Sequence, residues 1–93
     1  MSDTLHQLWT TIEQRKQQRP AGSYTVRLLE AGENEILKKI GEEAVEVIIA
    51  AKGEGDGRVL YEMAELIYHA MVLLAARDLT WNDVEAELVR RFG

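Results

Sequence analysis

Lys38-Lys39-Ile40-Gly41-Glu42-Glu43-Ala44-Val45-Glu46 is the stretch that decides how this chain is read. Two lysines and three carboxylates lie inside a segment that otherwise has the pattern of a core helix. At about 100° per residue, Ile36, Ile40, Glu43 and Val47 fall within about 60° of one another. Glu43 thus stands in the middle of an apolar stripe, flanked by Lys39, Glu46 and Ala50, with Glu42 nearer the edge. The next apolar segment repeats the arrangement. There Glu62, Glu65, Leu66, His69 and Leu73 share an arc about 100° wide.

Four carboxylates in core-facing stripes cannot stay ionised unaided. Desolvation costs several kcal/mol per ion, and neighbouring like charges add to it. Lys39 alone leaves a deficit. A hard divalent cation removes it, because oxygen ligands suit Mg²⁺ or Mn²⁺. Glu43/Glu46 and Glu62/Glu65 each have i, i+3 spacing, which sets both carboxylates on one side of a helix. Two antiparallel helices joined by the Gly53–Gly57 stretch would bring the pairs together. Lys38, Lys39 and Arg58 lie close by in sequence and suit phosphate contacts, whereas Lys52 reads as a solvent-facing lysine. The competing reading is an ordinary solvated face with surface salt bridges. His69, alone on an apolar face, has the character of a core histidine bonded to backbone. Its spacing, Glu65-x-x-x-His69, is not the Glu-x-x-His of di-iron bundles.

Outward from this centre the pattern is helical throughout. Leu5, Leu8, Trp9 and Ile12 predict a first helix over about 4–19, with Thr4 and Gln7 as a capping box and Pro20 as its stop. Ser23 as N-cap and Gly32 as terminator predict a short helix over 24–31. A third helix is expected over 34–52. A fourth, capped by Asp56, is expected over 57–77 and is apolar nearly all round, with Leu60, Met63, Ile67 and Met71 among its residues. Thr80 with Asp83 starts a fifth, whose inner face is Trp81, Val84, Leu88 and Phe92. The fold class is therefore all-α: a bundle of about five helices in one domain, residues 1–93. So short a chain buries only about 60–65% of its unfolded surface, and it cannot easily surround its fourth helix. A homodimer is the expected remedy.

Composition narrows the function. The formal net charge of −5 argues against a general nucleic-acid binder. The chain has no cysteine, hence no disulfide and no thiolate metal site, which suits the cytoplasm. The N-terminus lacks the basic and apolar regions of a signal peptide. The longest uninterrupted apolar run, near 70–76, is too short to span a bilayer.

Glu42-Glu43-x-x-Glu46 followed by Glu62-x-x-Glu65 resembles the EExxE…ExxD motif of the MazG-like, all-α nucleoside-triphosphate pyrophosphohydrolases. Ser23-Tyr24-Thr25, Leu28-Leu29, Gly32, the run from Ile36 to Glu46, and Leu66-Ile67-Tyr68-His69 with Val72-Leu73-Leu74 are together similar to the phosphoribosyl-ATP pyrophosphohydrolase family. This likeness covers about residues 5–91. It implies a MazG-like helical bundle completed by dimerisation. It also implies Mg²⁺-dependent hydrolysis of phosphoribosyl-ATP to phosphoribosyl-AMP and pyrophosphate, the second step of histidine biosynthesis. By motif position, the metal ligands would be Glu43, Glu46, Glu62 and Glu65. The catalytic set would be Glu42, Glu43 and Glu46, with Glu42 behind the ligands or positioning water. Tyr24, Lys38, Lys39, Arg58 and His69 are the expected substrate contacts. One departure is that Glu65 stands where the motif has Asp, so the side chain reaches about 1.5 Å further. The alternatives are a MazG-like house-cleaning enzyme for free nucleotides and a non-catalytic helical assembly module.

Overall fold

The computed structural model describes residues 3–93 and consists of α1 (Thr4–Gln18), α2 (Tyr24–Ala31), α3 (Glu33–Gly53), α4 (Asp56–Ala76) and α5 (Trp81–Phe92). No strand occurs among the described residues. The all-α expectation holds, and α2 has the expected bounds.

Several caps differ from the sequence reading. Thr4 and Gln7 do not form a capping box at α1. Thr4 is already helical, Asp3 takes the N-cap place without a side-chain cap bond, and the Gln7 N–H goes to the Asp3 carbonyl at 2.8 Å. Asp56 does not cap α4 either. It sits in the first turn, where a carboxylate suits the positive end of the helix dipole, and Gly55 is the cap at φ 90°. That backbone angle is open to glycine at no steric cost and is strained for other residues. The expected loop at 53–57 therefore shrinks to Glu54 and Gly55, and Gly53 and Gly57 are helical. Ser23 caps α2 as expected, accepting from the Val26 N–H at 3.2 Å. Thr80 and Asp83 form a full capping box on α5.

The two-residue link folds α3 and α4 into a long antiparallel hairpin, the most extensive helix pair of the molecule. The core is Ile12, Leu28, Ile36, Met71, Val72 and Ala75, with Trp9, Ile40 and Trp81 packed against it. Each fully buried aliphatic side chain contributes about 1.5–3 kcal/mol. The ends of the hairpin are tied down by charge. The Lys16 ammonium donates to the Ala75 carbonyl at 2.7 Å and to Asp78 at 2.6 Å. Arg77 pairs with Glu33 at 3.0 Å, joining the end of α4 to the start of α3.

One apolar expectation is corrected. Of the four residues expected on the inner face of α5, Trp81 and Val84 are half-buried, while Leu88 and Phe92 are exposed because the helix runs off the bundle. α4 is only partly surrounded, as expected of so short a chain: Met71, Val72 and Ala75 are enclosed, while Leu60 is 72% exposed and Met63 is exposed as well. Beside it on α3, Val45, Ile48 and Ile49 also face outward. By length and composition α4 could cross a membrane, an 18-residue window within it having mean hydropathy 1.5. Its position argues for a core helix instead, since it carries Glu62 and Glu65 toward α3 and Met71, Val72 and Ala75 into the bundle.

Candidate active site

The acids of the two helices meet in one pocket of about 530 Å³. From α3 it is lined by Lys39, Glu42, Glu43 and Glu46, and from α4 by Arg58, Tyr61, Glu62 and Glu65. The periodicity explains this. Residues 39, 42, 43 and 46 lie on one face of α3, and 58, 61, 62 and 65 on one face of α4. The hairpin turns the two faces toward each other.

Glu62 is the most enclosed of these carboxylates, at 4% exposed. Burial pushes its carboxyl above the usual carboxylate range. Hydrogen bonding to Glu43 and that group's charge push the same way, and the Arg58 guanidinium opposes them. Arg58 is ion-paired with Glu62, lies 4.0 Å from Glu54, and sits over the Tyr61 ring at 4.6 Å from its centroid. Across the pocket the Lys39 ammonium is 3.2 Å from Glu42. Its bond to Glu42, together with nearby Tyr24 and Glu43, holds its pKa above the ordinary lysine value despite opposing desolvation.

His69 lies just behind the pocket, 1% exposed. Its Nδ1 is 2.7 Å from the Glu65 carbonyl and must donate there, since a carbonyl only accepts. In the neutral ring Nε2 then accepts from the Tyr24 hydroxyl at 3.1 Å. A ligand atom from each of Glu43, Glu65 and His69 falls within 4.8 Å of the others. Both ring nitrogens are engaged, so the donors left facing the pocket are carboxylate oxygens. That set fits a hard divalent cation: two acid pairs, one member buried and raised in pKa, on facing helices.

Of the residues singled out from sequence, Lys39, Arg58 and all five acids line the pocket. Tyr24 and His69 form a linked pair at its back. Lys38 is exposed and does not line it. Sequence reasoning passed over Tyr61, although its spacing from Arg58 and Glu65 puts it on the same face. It also passed over the contact between Thr25 and the Tyr68 hydroxyl, which helps to dock α2 on α4.

Comparison with known proteins gives consistent matches. A family model described as phosphoribosyl-ATP pyrophosphohydrolase matches residues 5–92. A phosphoribosyl-ATP pyrophosphatase of Trichlorobacter lovleyi is 53% identical over 89 residues, which are 96% of this chain and 82% of that protein. One of Pelotomaculum thermopropionicum is 53% identical over 89 residues, 96% of this chain and 91% of its own length. The histidine biosynthesis bifunctional protein HisIE of Caldanaerobacter subterraneus is 47% identical over 90 residues, 97% of this chain and 44% of that longer protein.

Proposed function

This chain belongs to the phosphoribosyl-ATP pyrophosphohydrolase family, and from that membership we propose that it hydrolyses phosphoribosyl-ATP to phosphoribosyl-AMP and pyrophosphate, the second step of histidine biosynthesis. Family membership supports the substrate. The observation that carries the chemistry is the convergence of Glu43, Glu46, Glu62 and Glu65 on one pocket that also holds Lys39 and Arg58.

The four carboxylates would hold a divalent cation, Mg²⁺ or Mn²⁺, which would supply positive charge to neutralise the polyphosphate and polarise a phosphoryl oxygen. Lys39 and Arg58 contact the phosphates, and Glu42, at the pocket edge, orients the water. That water adds to the α-phosphorus, and the bond to the bridging oxygen breaks. Pyrophosphate leaves with the electron pair, and the water's proton passes to a carboxylate or to solvent. Tyr24 and His69 fix the back of the pocket. The domain spans residues 1–93, works in the cytoplasm, and acts as a homodimer whose second copy covers the outward apolar residues of α3 and α4.

The test supplies phosphoribosyl-ATP and the common nucleoside triphosphates separately with Mg²⁺, and assays orthophosphate with and without added pyrophosphatase. Orthophosphate that appears only with pyrophosphatase, and mainly from phosphoribosyl-ATP, is the expected result. Comparable release from a free triphosphate would move the chain to the house-cleaning class, and orthophosphate without pyrophosphatase would overturn the bond assignment.

A further inference from the structure

Arg58 makes two contacts at the pocket, to Glu62 and to Tyr61, and the first competes with a cation. Its guanidinium pairs with Glu62, the buried carboxylate that the proposed function gives to the divalent cation. A carboxylate oxygen bonded to a guanidinium is a poor donor to a cation, and the two positive groups repel each other across it. Arg58 and the cation therefore contend for the same group. The second contact does not depend on Glu62. The arginine's guanidinium already sits over the Tyr61 ring, and its side chain is half exposed at the pocket lining.

We infer that Arg58 is a cation-displaced phosphate clamp. Ligation of the cation at Glu62 releases the guanidinium, Tyr61 keeps it at the pocket, and it turns its paired N–H donors to a phosphate of the incoming substrate. Two features support this. Guanidinium offers bidentate geometry to phosphate as well as to carboxylate, so the same fork serves both partners. Glu54, in the link before α4, comes no nearer to Arg58 than 4.0 Å, the outer limit of an ion pair, so the outer carboxylate does not hold the arginine away from the pocket. The consequence is order. Cation binding precedes tight phosphate binding, and without the cation Arg58 stays occupied by Glu62. Lys39, paired with Glu42 on the opposite wall, faces no such contest.

This inference rests on the divalent-cation reading of the four acids, and the experiment separates the two. The full-length protein is labelled with ¹⁵N-arginine, and the Arg58 Nε–H resonance is assigned by its loss in Arg58→Lys. Mg²⁺ is titrated first, and inorganic pyrophosphate second. The Arg58 signal should shift on Mg²⁺ addition and shift again with Mg²⁺ and pyrophosphate together, while pyrophosphate alone leaves it in place. Calorimetry gives a second readout. In Arg58→Lys, pyrophosphate affinity at saturating Mg²⁺ should fall at least tenfold, while affinity for Mg²⁺ alone does not fall. A residue that only stabilises the fold would weaken both. Mg²⁺ binding with an unmoved Arg58 signal would overturn the clamp and leave the cation site standing, and no Mg²⁺ binding at all would overturn both.

Discussion

At the scale of single residues, the acids differ in environment, so substitutions should separate them. Glu43 is half-buried between Lys39 and Glu62, and its charge acts on both. Glu43→Gln should lower turnover at least a hundredfold, a loss of about 3 kcal/mol in transition-state stabilisation. Glu65 stands where the family motif has Asp. Glu65→Asp should retain substantial activity and Glu65→Ala should lose most of it, and parental turnover in the alanine variant would remove Glu65 from the ligand set. Glu62 yields a stability prediction. Its carboxyl binds a proton more tightly in the folded protein than in the unfolded chain. In that case the native state holds more protons than the unfolded state over the window from the ordinary carboxylate range up to the raised value. Stability therefore falls as pH rises through that window. Thermal melts in chelator should show this slope for the parent and lose it in Glu62→Gln, and saturating Mg²⁺ should restore the parent. Identical pH slopes for the two proteins in chelator would contradict the assignment.

Among the elements, α2 is the one whose placement depends most on a few bonds. It is eight residues long, too short to persist alone in water. Ser23 caps it, Thr25 and Tyr24 reach Tyr68 and His69 on α4, and Val26 and Leu28 enter the core. Ser23→Ala removes the acceptor for the Val26 N–H and should cost about 0.5–2 kcal/mol of unfolding free energy. Denaturant titration measures it. A cost within error of zero would mean that packing onto α4, not the cap, holds the helix. Tyr24 and His69 also connect this element to the acids, since His69 is bonded to the Glu65 carbonyl one turn back on α4.

For the whole molecule the question is what covers the apolar faces. Ile48 is 62% exposed and Leu60 72%, with Val45 and Ile49 also outward on the same hairpin. Larger apolar patches of this kind mark interaction surfaces more often than ordinary solvent-facing surface. A second copy of the chain is the proposed occupant. Light scattering should give a dimer at micromolar concentration. Ile48→Asp should shift it toward monomer and lower the melting temperature, and the parent's melting temperature should rise with protein concentration. A stable folded monomer of the parent at that concentration would contradict the dimer.

The sequence by itself determined what depends on neighbours within one or two helical turns. The bounds of α2, the Ser23 and Thr80 caps and the i, i+3 spacing of Glu43/Glu46 and Glu62/Glu65 all follow from periodicity and capping chemistry, which act between residues three or four apart. The same local logic misassigned Thr4 and Asp56, because two adjacent residues can each serve as a cap and only the backbone angles choose between them. Only the tertiary structure decided the contacts across the chain. Tyr24 meets His69 at a separation of 45 residues, and Lys16 reaches the carbonyl of Ala75 at a separation of 59. The register of α3 against α4 places the Glu43 carboxyl beside Glu62. It also leaves Leu60 in the open while Met71 and Val72 are enclosed. Periodicity gives each helix an apolar face but not the neighbour that covers it, because burial belongs to the packing of two surfaces and not to either one alone.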